Sequence, residues 1–204
     1  MHPLRKPFAL AVLCLAISAG FFLFFATRDR PAVVNHATIL PEPMSLPEFS
    51  LTDQDGNTFT RDDLLGAWHL VFFGFTNCPD ICPATLQQLS IAGNRVAEGG
   101  AGFPAIILIS VDPARDTPIA LRAYTAHFGR HVTGVTGDPD ELRKLTNALG
   151  IYFAVSGERN GNYSVDHSAA VLLLNDKAQW SAVFSAPHSI DAFVHDVPIL
   201  TGAL

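Results

Sequence analysis

An α/β fold, a sheet with helices on its faces, is predicted by three features of the sequence. Continuous apolar runs of strand length, Trp68 to Phe73 and Ala105 to Val111, read as central strands buried on both sides. Between them Leu86, Leu89, Ala92 or Gly93, and Val96 recur at helical spacing on one face, which makes a βαβ unit. A hairpin signal, Leu51 to Thr60 turning at Asp55-Gly56, precedes the unit.

The elements follow in chain order. From Phe8 to Ala26 the chain carries no charge and no proline, and at ~1.5 Å per helical residue this run nearly crosses a ~30 Å hydrocarbon core, so one transmembrane helix is expected. A cleaved signal peptide and a lipoprotein signal acylated at Cys14 are the rival readings, and neither fits. No small-x-small site closes the run, Phe21 to Phe25 lie where cleavage would fall, and Leu13 stands where a small residue is wanted. Arg5 and Lys6 on one side balance Arg28 and Arg30 on the other, so charge does not orient the span. The division expected is residues 1–7 as a short N-terminal segment, 8–26 as the anchor, 27–47 as a proline-rich tether and 48–204 as one folded domain.

Within the domain a helix is expected over Pro83 to Glu98. A second runs from Thr117 as N-cap, with Pro118 first, to Phe128 and Gly129, and a third from Asp138, with Pro139 next and Glu141 placed for a capping box, to Gly150. An exposed loop spans Ser156 to Tyr163. Strands Ala169 to Leu174 and Trp180 to Phe184 follow, joined by Asn175-Asp176-Lys177, and Ser189 caps a last helix. No internal repeat divides the domain.

The chain is acidic, with a net charge of −6, and no basic run interrupts it, which argues against nucleic acid and anionic lipid surfaces as partners. Its partners are expected to be basic or small.

Chemistry concentrates at the carboxyl end of the first long strand, in the stretch from Gly74 to Pro83 that carries Cys78 and Cys82. Pro83 places both cysteines in the loop and cap of the following helix, where free amides and the positive dipole end favour thiolate. Three residues separate the cysteines, one more than in a thioredoxin-type redox pair. The spacing permits a disulfide and also lets two sulfurs converge on one soft metal ion.

GFTNCPDICPATL from Gly74, ISVDPARDTP from Ile109 and VDHSAAVLLLN from Val165 together resemble the Sco/SenC family over nearly the whole domain. Asn77 departs from the pattern, since many members have histidine before the first cysteine. The resemblance implies a thioredoxin-like, three-layer fold on a membrane anchor, with the domain on the periplasmic side. It implies one copper ion held by Cys78, Cys82 and His167, with the two cysteines also able to form a redox disulfide. The implied partner is cytochrome c oxidase subunit II, or another extracytoplasmic copper protein, which would receive copper at its CuA centre or have its cysteines reduced.

Donor chemistry agrees, because two thiolates and an imidazole suit copper. Asp80 and Asp166 adjoin ligands, and Asp112 lies with Asp116 in the loop after the second long strand; all are expected to support the site, Asp116 equally as part of a helix cap. The remaining histidines carry less. His69 reads as a core residue, Gly129 breaks the helix between His127 and His131, and His188 and His195 read as loop and surface positions. Two function classes stay open: a copper carrier that is not an enzyme, and a thiol-disulfide oxidoreductase. A thiol peroxidase is disfavoured, since the Pro-x-x-x-Thr/Ser-x-x-Cys approach is missing before Cys78.

Overall fold

The computed structural model describes residues 33–157 and 163–203. They belong almost wholly to one folded unit, Val34 to Leu204. The expected membrane span, Phe8 to Ala26, lies outside the described residues, and among those described no helix is long and apolar enough to cross a membrane.

Strands β1 (Thr38–Ser45), β2 (Ser50–Asp53), β3 (Thr58–Thr60), β4 (His69–Gly74), β5 (Ala105–Ser110), β6 (Val132–Thr136), β9 (Val171–Leu174) and β10 (Gln179–Phe184) form one sheet; β7 (Phe153–Ser156) and β8 (Ser164–His167) form a separate ribbon. Helices are α1 (Ile81–Glu98), α2 (Pro118–Thr125), α3 (Pro139–Ala148) and α4 (Ile190–Thr201). The sheet order is β1-β10-β9-β4-β5-β6-β2-β3. At its centre β4, β5 and β6 run parallel, and β9 joins β4 antiparallel.

Burial follows from this order. Every residue of β4 and β9 is buried, as continuous apolar runs require of strands covered on both faces. One face carries Val71, Ile107, Ile109, Leu172 and Leu174, which meet Leu145 and Leu149 at the end of α3. The opposite face receives α1 and α2: a Cβ on Gly74 would strike Cys82 of α1, and one on Gly134 would strike Leu121 of α2. Helix layers on both sides of the sheet are thus present, with α4 packed beside α1.

Several expectations change in detail. Residues 38–45, expected as tether, are the edge strand β1, paired to β10 with a bulge between Ile39 and Met44. Pro41 and Pro43 are tolerated because an edge strand need not donate on its outer side, and the strand is exposed on both faces, so it carries no alternation. Strand β6 fills a stretch for which no element is expected; Gly134 interrupts its apolar character because Leu121 approaches to within 2.9 Å of where a Cβ would sit. Helix α1 starts at Ile81, not Pro83, so Cys82 lies inside its first turn. The first amides of a helix have no intrahelical partner, and Pro83 in third place therefore costs no hydrogen bond. The N-caps Thr117, Asp138 and Ser189 are as expected, each accepting from a backbone amide of the first turn. Glu141 does not close a capping box; its carboxylate accepts from the Ser50 amide at 3.1 Å and ties α3 to β2.

Candidate metal centre

The chain leaves β4 at Gly74 and needs seven residues, 75–81, to reach the first turn of α1. Two interactions shape this loop. The Cys78 amide donates to the Phe75 carbonyl at 3.3 Å, and the Cys82 amide, free at the helix start, donates to Cys78 Sγ at 3.4 Å. Phe75, Cys78 and Cys82 are all part of the buried core.

Asp116 fixes the loop from the neighbouring strand. It is fully buried, and its carboxylate accepts from the Thr76 amide at 2.9 Å, the Thr76 hydroxyl at 2.5 Å and the Ser110 hydroxyl at 2.6 Å. Three donors around one buried carboxylate offset its desolvation. The helix cap belongs to Thr117 instead, and Asp116 orients the segment that presents Cys78.

The third group arrives from the ribbon. His167 ends β8, and its Nε2 lies 3.3 Å from Cys82 Sγ. Its Nδ1 sits 3.0 Å from the Ser168 carbonyl, which only accepts, so Nδ1 carries the proton and the Nε2 lone pair faces the sulfurs. Phe72 and Phe75 meet the imidazole edge-on, with ring centroids 5.9 and 5.8 Å away. The two sulfurs and one imidazole nitrogen lie within 4.8 Å of one another, and among the described residues no other cluster of three or more such donors forms.

Burial governs the ionisation of the site. It pushes the Cys82 thiol far above its ordinary range, reinforced by Cys78 beside it, so the helix dipole does not make Cys82 a thiolate in the metal-free protein. It lowers the pKa of His167, which stays neutral, although the Ser168 carbonyl and the charge of Asp166 act in the other direction. Both cysteines are free thiols.

Of the three acids expected to support the ligands, none hydrogen-bonds to one among the described residues. Asp80 is an exposed N-cap whose side chain makes no cap bond. Asp166 is exposed, and as the residue before His167 on a strand it points to the other face. Asp112 is buried and pairs with Arg115 and with the Tyr163 hydroxyl, the latter at 2.6 Å. Among the other histidines, His69 is buried as expected, but its Nδ1 has no partner; His188 Nε2 lies 2.6 Å from the Ala169 carbonyl, and His195 pairs with the buried Asp196. Tyr163, Arg115, Thr76 and Ser110 are contributors for which the sequence analysis has no role. For Tyr163 no local signal existed, since it stands in a stretch read as loop.

Comparison with known proteins follows the geometry. The family model described as SCO1/SenC matches residues 39–201. A protein of Stutzerimonas stutzeri named as copper-binding is 36% identical over 201 residues, covering 97% of this chain and 95% of its own. Among solved structures, Arabidopsis thaliana ScoI with copper bound superposes with a TM-score of 0.69 at 32% identity, over 73% of this chain and 92% of that one. Bradyrhizobium japonicum ScoI with copper bound gives a TM-score of 0.68 at 31% identity, over 78% of this chain and 99% of that one. The thioredoxin-like α/β fold is therefore shared with copper-bound structures.

Proposed function

Because the chain belongs to the SCO1/SenC family, we propose that it carries one copper ion on Cys78, Cys82 and His167 and delivers it to a copper protein outside the cytoplasm, the CuA subunit of cytochrome c oxidase being the acceptor the family resemblance implies. The observation that carries this reading is the convergence within 4.8 Å of two sulfurs and an imidazole that come from opposite ends of the domain. A soft dithiolate with one borderline nitrogen is a donor set for copper, whereas hard cations take oxygen. The residues fit the ion as well as its preference: the Nδ1–Ser168 bond presents Nε2 as a donor in the correct tautomer.

The chain's own groups set how cargo enters. Cys82 must lose its proton to ligate, so uptake releases protons and tightens as pH rises. Oxidation to a Cys78–Cys82 disulfide removes both sulfur donors and abolishes uptake. The run Phe8 to Ala26 would hold the domain at the outer face of a membrane, beside an exposed acceptor.

A second reading, reduction of the acceptor's cysteines, is favoured by the two free thiols lying side by side. It is disfavoured by Cys82, which is fully buried and held as thiol, and by an imidazole for which disulfide exchange has no use. Metal analysis of the reduced full-length chain decides between them. One equivalent of bound copper, lost on oxidation, supports the carrier; a protein that takes up no copper but reduces a copper-site disulfide rapidly rejects it.

A further inference from the structure

The geometry points to Tyr163 and Arg115 as positioning residues that lock the His167 ribbon against the cysteine loop, an inference that rests on the copper reading above. The two halves of the site have no strand in common. Cys78 and Cys82 belong to the loop and helix that follow β4, while His167 ends β8, whose sole strand partner among the described residues is β7. The turn Asp112 to Asp116 grips both.

Towards the cysteines the turn presents Asp116, which holds Thr76, two residues before Cys78. Towards the histidine it presents Asp112 and Arg115, which hold Tyr163, four residues before His167. The Tyr163 hydroxyl donates to Asp112 Oδ1 at 2.6 Å, Arg115 Nη1 donates to the Tyr163 carbonyl at 3.0 Å, and the Arg115 guanidinium carbon lies 3.7 Å from the centre of the Tyr163 ring. Arg115 Nε closes the triangle by pairing with Asp112 Oδ2.

The turn itself is stiff. The Asp112 carbonyl accepts from the Arg115 and Asp116 amides at 3.1 and 3.0 Å, and Ser110 Oγ accepts from the Asp112 amide at 3.1 Å while donating to Asp116. A rigid element that binds both sides sets the distance between them, here the 3.3 Å approach of Nε2 to Cys82. The ribbon's other hydrogen bonds to the chain beside it are local, from the Ser168 amide to the Tyr152 carbonyl and from the Tyr152 amide to Ser168 Oγ, and they tie the ribbon only to itself.

Tyr163→Phe deletes the hydroxyl and leaves the ring beneath Arg115. Cu(II) affinity should fall by about tenfold, the lower end for losing a group that orients a metal ligand, while Cu(I), held by two thiolates, should change by less than about twofold. In a His167→Ala background the same substitution should change neither affinity, because the latch acts only through the imidazole. In the metal-free full-length protein, Tyr163→Phe should speed amide hydrogen exchange over residues 164–167 and leave exchange in β4 and α1 unchanged. An equal loss in both backgrounds, or unchanged exchange over 164–167, overturns the latch. A wild-type chain that binds no copper overturns the copper reading instead, and the exchange measurement then decides the latch alone.

Discussion

The sulfur side and the nitrogen side of the candidate metal centre are built to different standards. Cys82 is 0% and Cys78 9% exposed, and both are packed into the central core between β4 and α1. His167 is half-buried at the tip of a two-stranded ribbon outside the main sheet. A pair of ligands embedded in a close-packed core keeps its geometry whether or not an ion is present. A ligand on a peripheral ribbon, fixed by a few side-chain contacts, is the one free to leave. The difference assigns retention of the ion to the sulfurs, and discrimination of its oxidation state, and the opening of the site for transfer, to the imidazole.

The largest effect should come from the sulfur side. Cys82→Ala removes a thiolate that no neighbouring donor replaces, and copper affinity should fall in both oxidation states by far more than the roughly 100-fold typical of losing a supporting group. Titration against a competing chelator measures it. Retention of either ion at wild-type affinity would show that the core cysteine is structural.

On the nitrogen side, His167→Ala should cost Cu(II) about 100-fold and Cu(I) less than about tenfold, since Cu(I) is satisfied by two thiolates and Cu(II) wants the third donor. The thermal midpoint of the metal-free protein should hold, because the ring's contacts are edge-on meetings with Phe72 and Phe75. Equal losses for the two ions would erase the division of labour.

The two sides also differed in how much of them the sequence disclosed. The cysteines stand four residues apart after a continuous apolar strand, and local rules place them at the end of β4. Their exact setting was not legible: whether Cys82 lies inside α1 depends on Pro83 being tolerated in third place, and its ionisation depends on burial that only packing determines. His167 was assigned by family resemblance and by its position before a strand, since nothing within eighty residues of Cys82 in sequence brings it there. The supports on the nitrogen side were illegible for the same reason. Tyr163 reaches Asp112 across 51 positions, and no periodicity records such a contact. The fold shows the same gradient: the buried strands β4, β5 and β9 read clearly, whereas the edge strand β1, with two prolines and no buried face, read as tether.

Gly74 tests the packing of the sulfur side without touching a ligand. A Cβ there would lie 2.9 Å from both Cys82 Sγ and a Phe72 ring carbon, and 3.3 Å from Leu108. Gly74→Ala should therefore destabilise the domain by about 1–3 kcal/mol, as overpacking does in a full core. It should weaken copper by about tenfold in both oxidation states, because the displaced atom is a ligand common to both. Denaturant unfolding and the same chelator titration read the two effects; a variant as stable as wild type with unaltered binding would mean that the sulfur side yields more readily than its burial implies.

The smallest expected effect lies in the pH dependence of stability of the metal-free protein, where the two sides act at opposite ends. The thiol of Cys82 is raised by burial, so below its ordinary value of 9.0 both folded and unfolded chains hold the proton and nothing is lost. Above that pH the unfolded chain ionises first and stability declines. His167 is lowered by burial, so above its ordinary value of 6.5 both states are neutral, and as pH falls through that value the unfolded chain takes up a proton the folded one resists. Stability should then fall on the acid side too. Three further histidines, His69, His131 and His188, are lowered by burial in the same way and share the acid limb. Cys82→Ala should accordingly flatten the decline above pH 9, measured by urea unfolding across the range, after allowance for its own constant packing loss. His167→Ala should remove only one share of the decline below about pH 6.5. If His167→Ala left the acid limb unchanged, the imidazole would be solvated in the metal-free protein and the ribbon already open before any ion arrives.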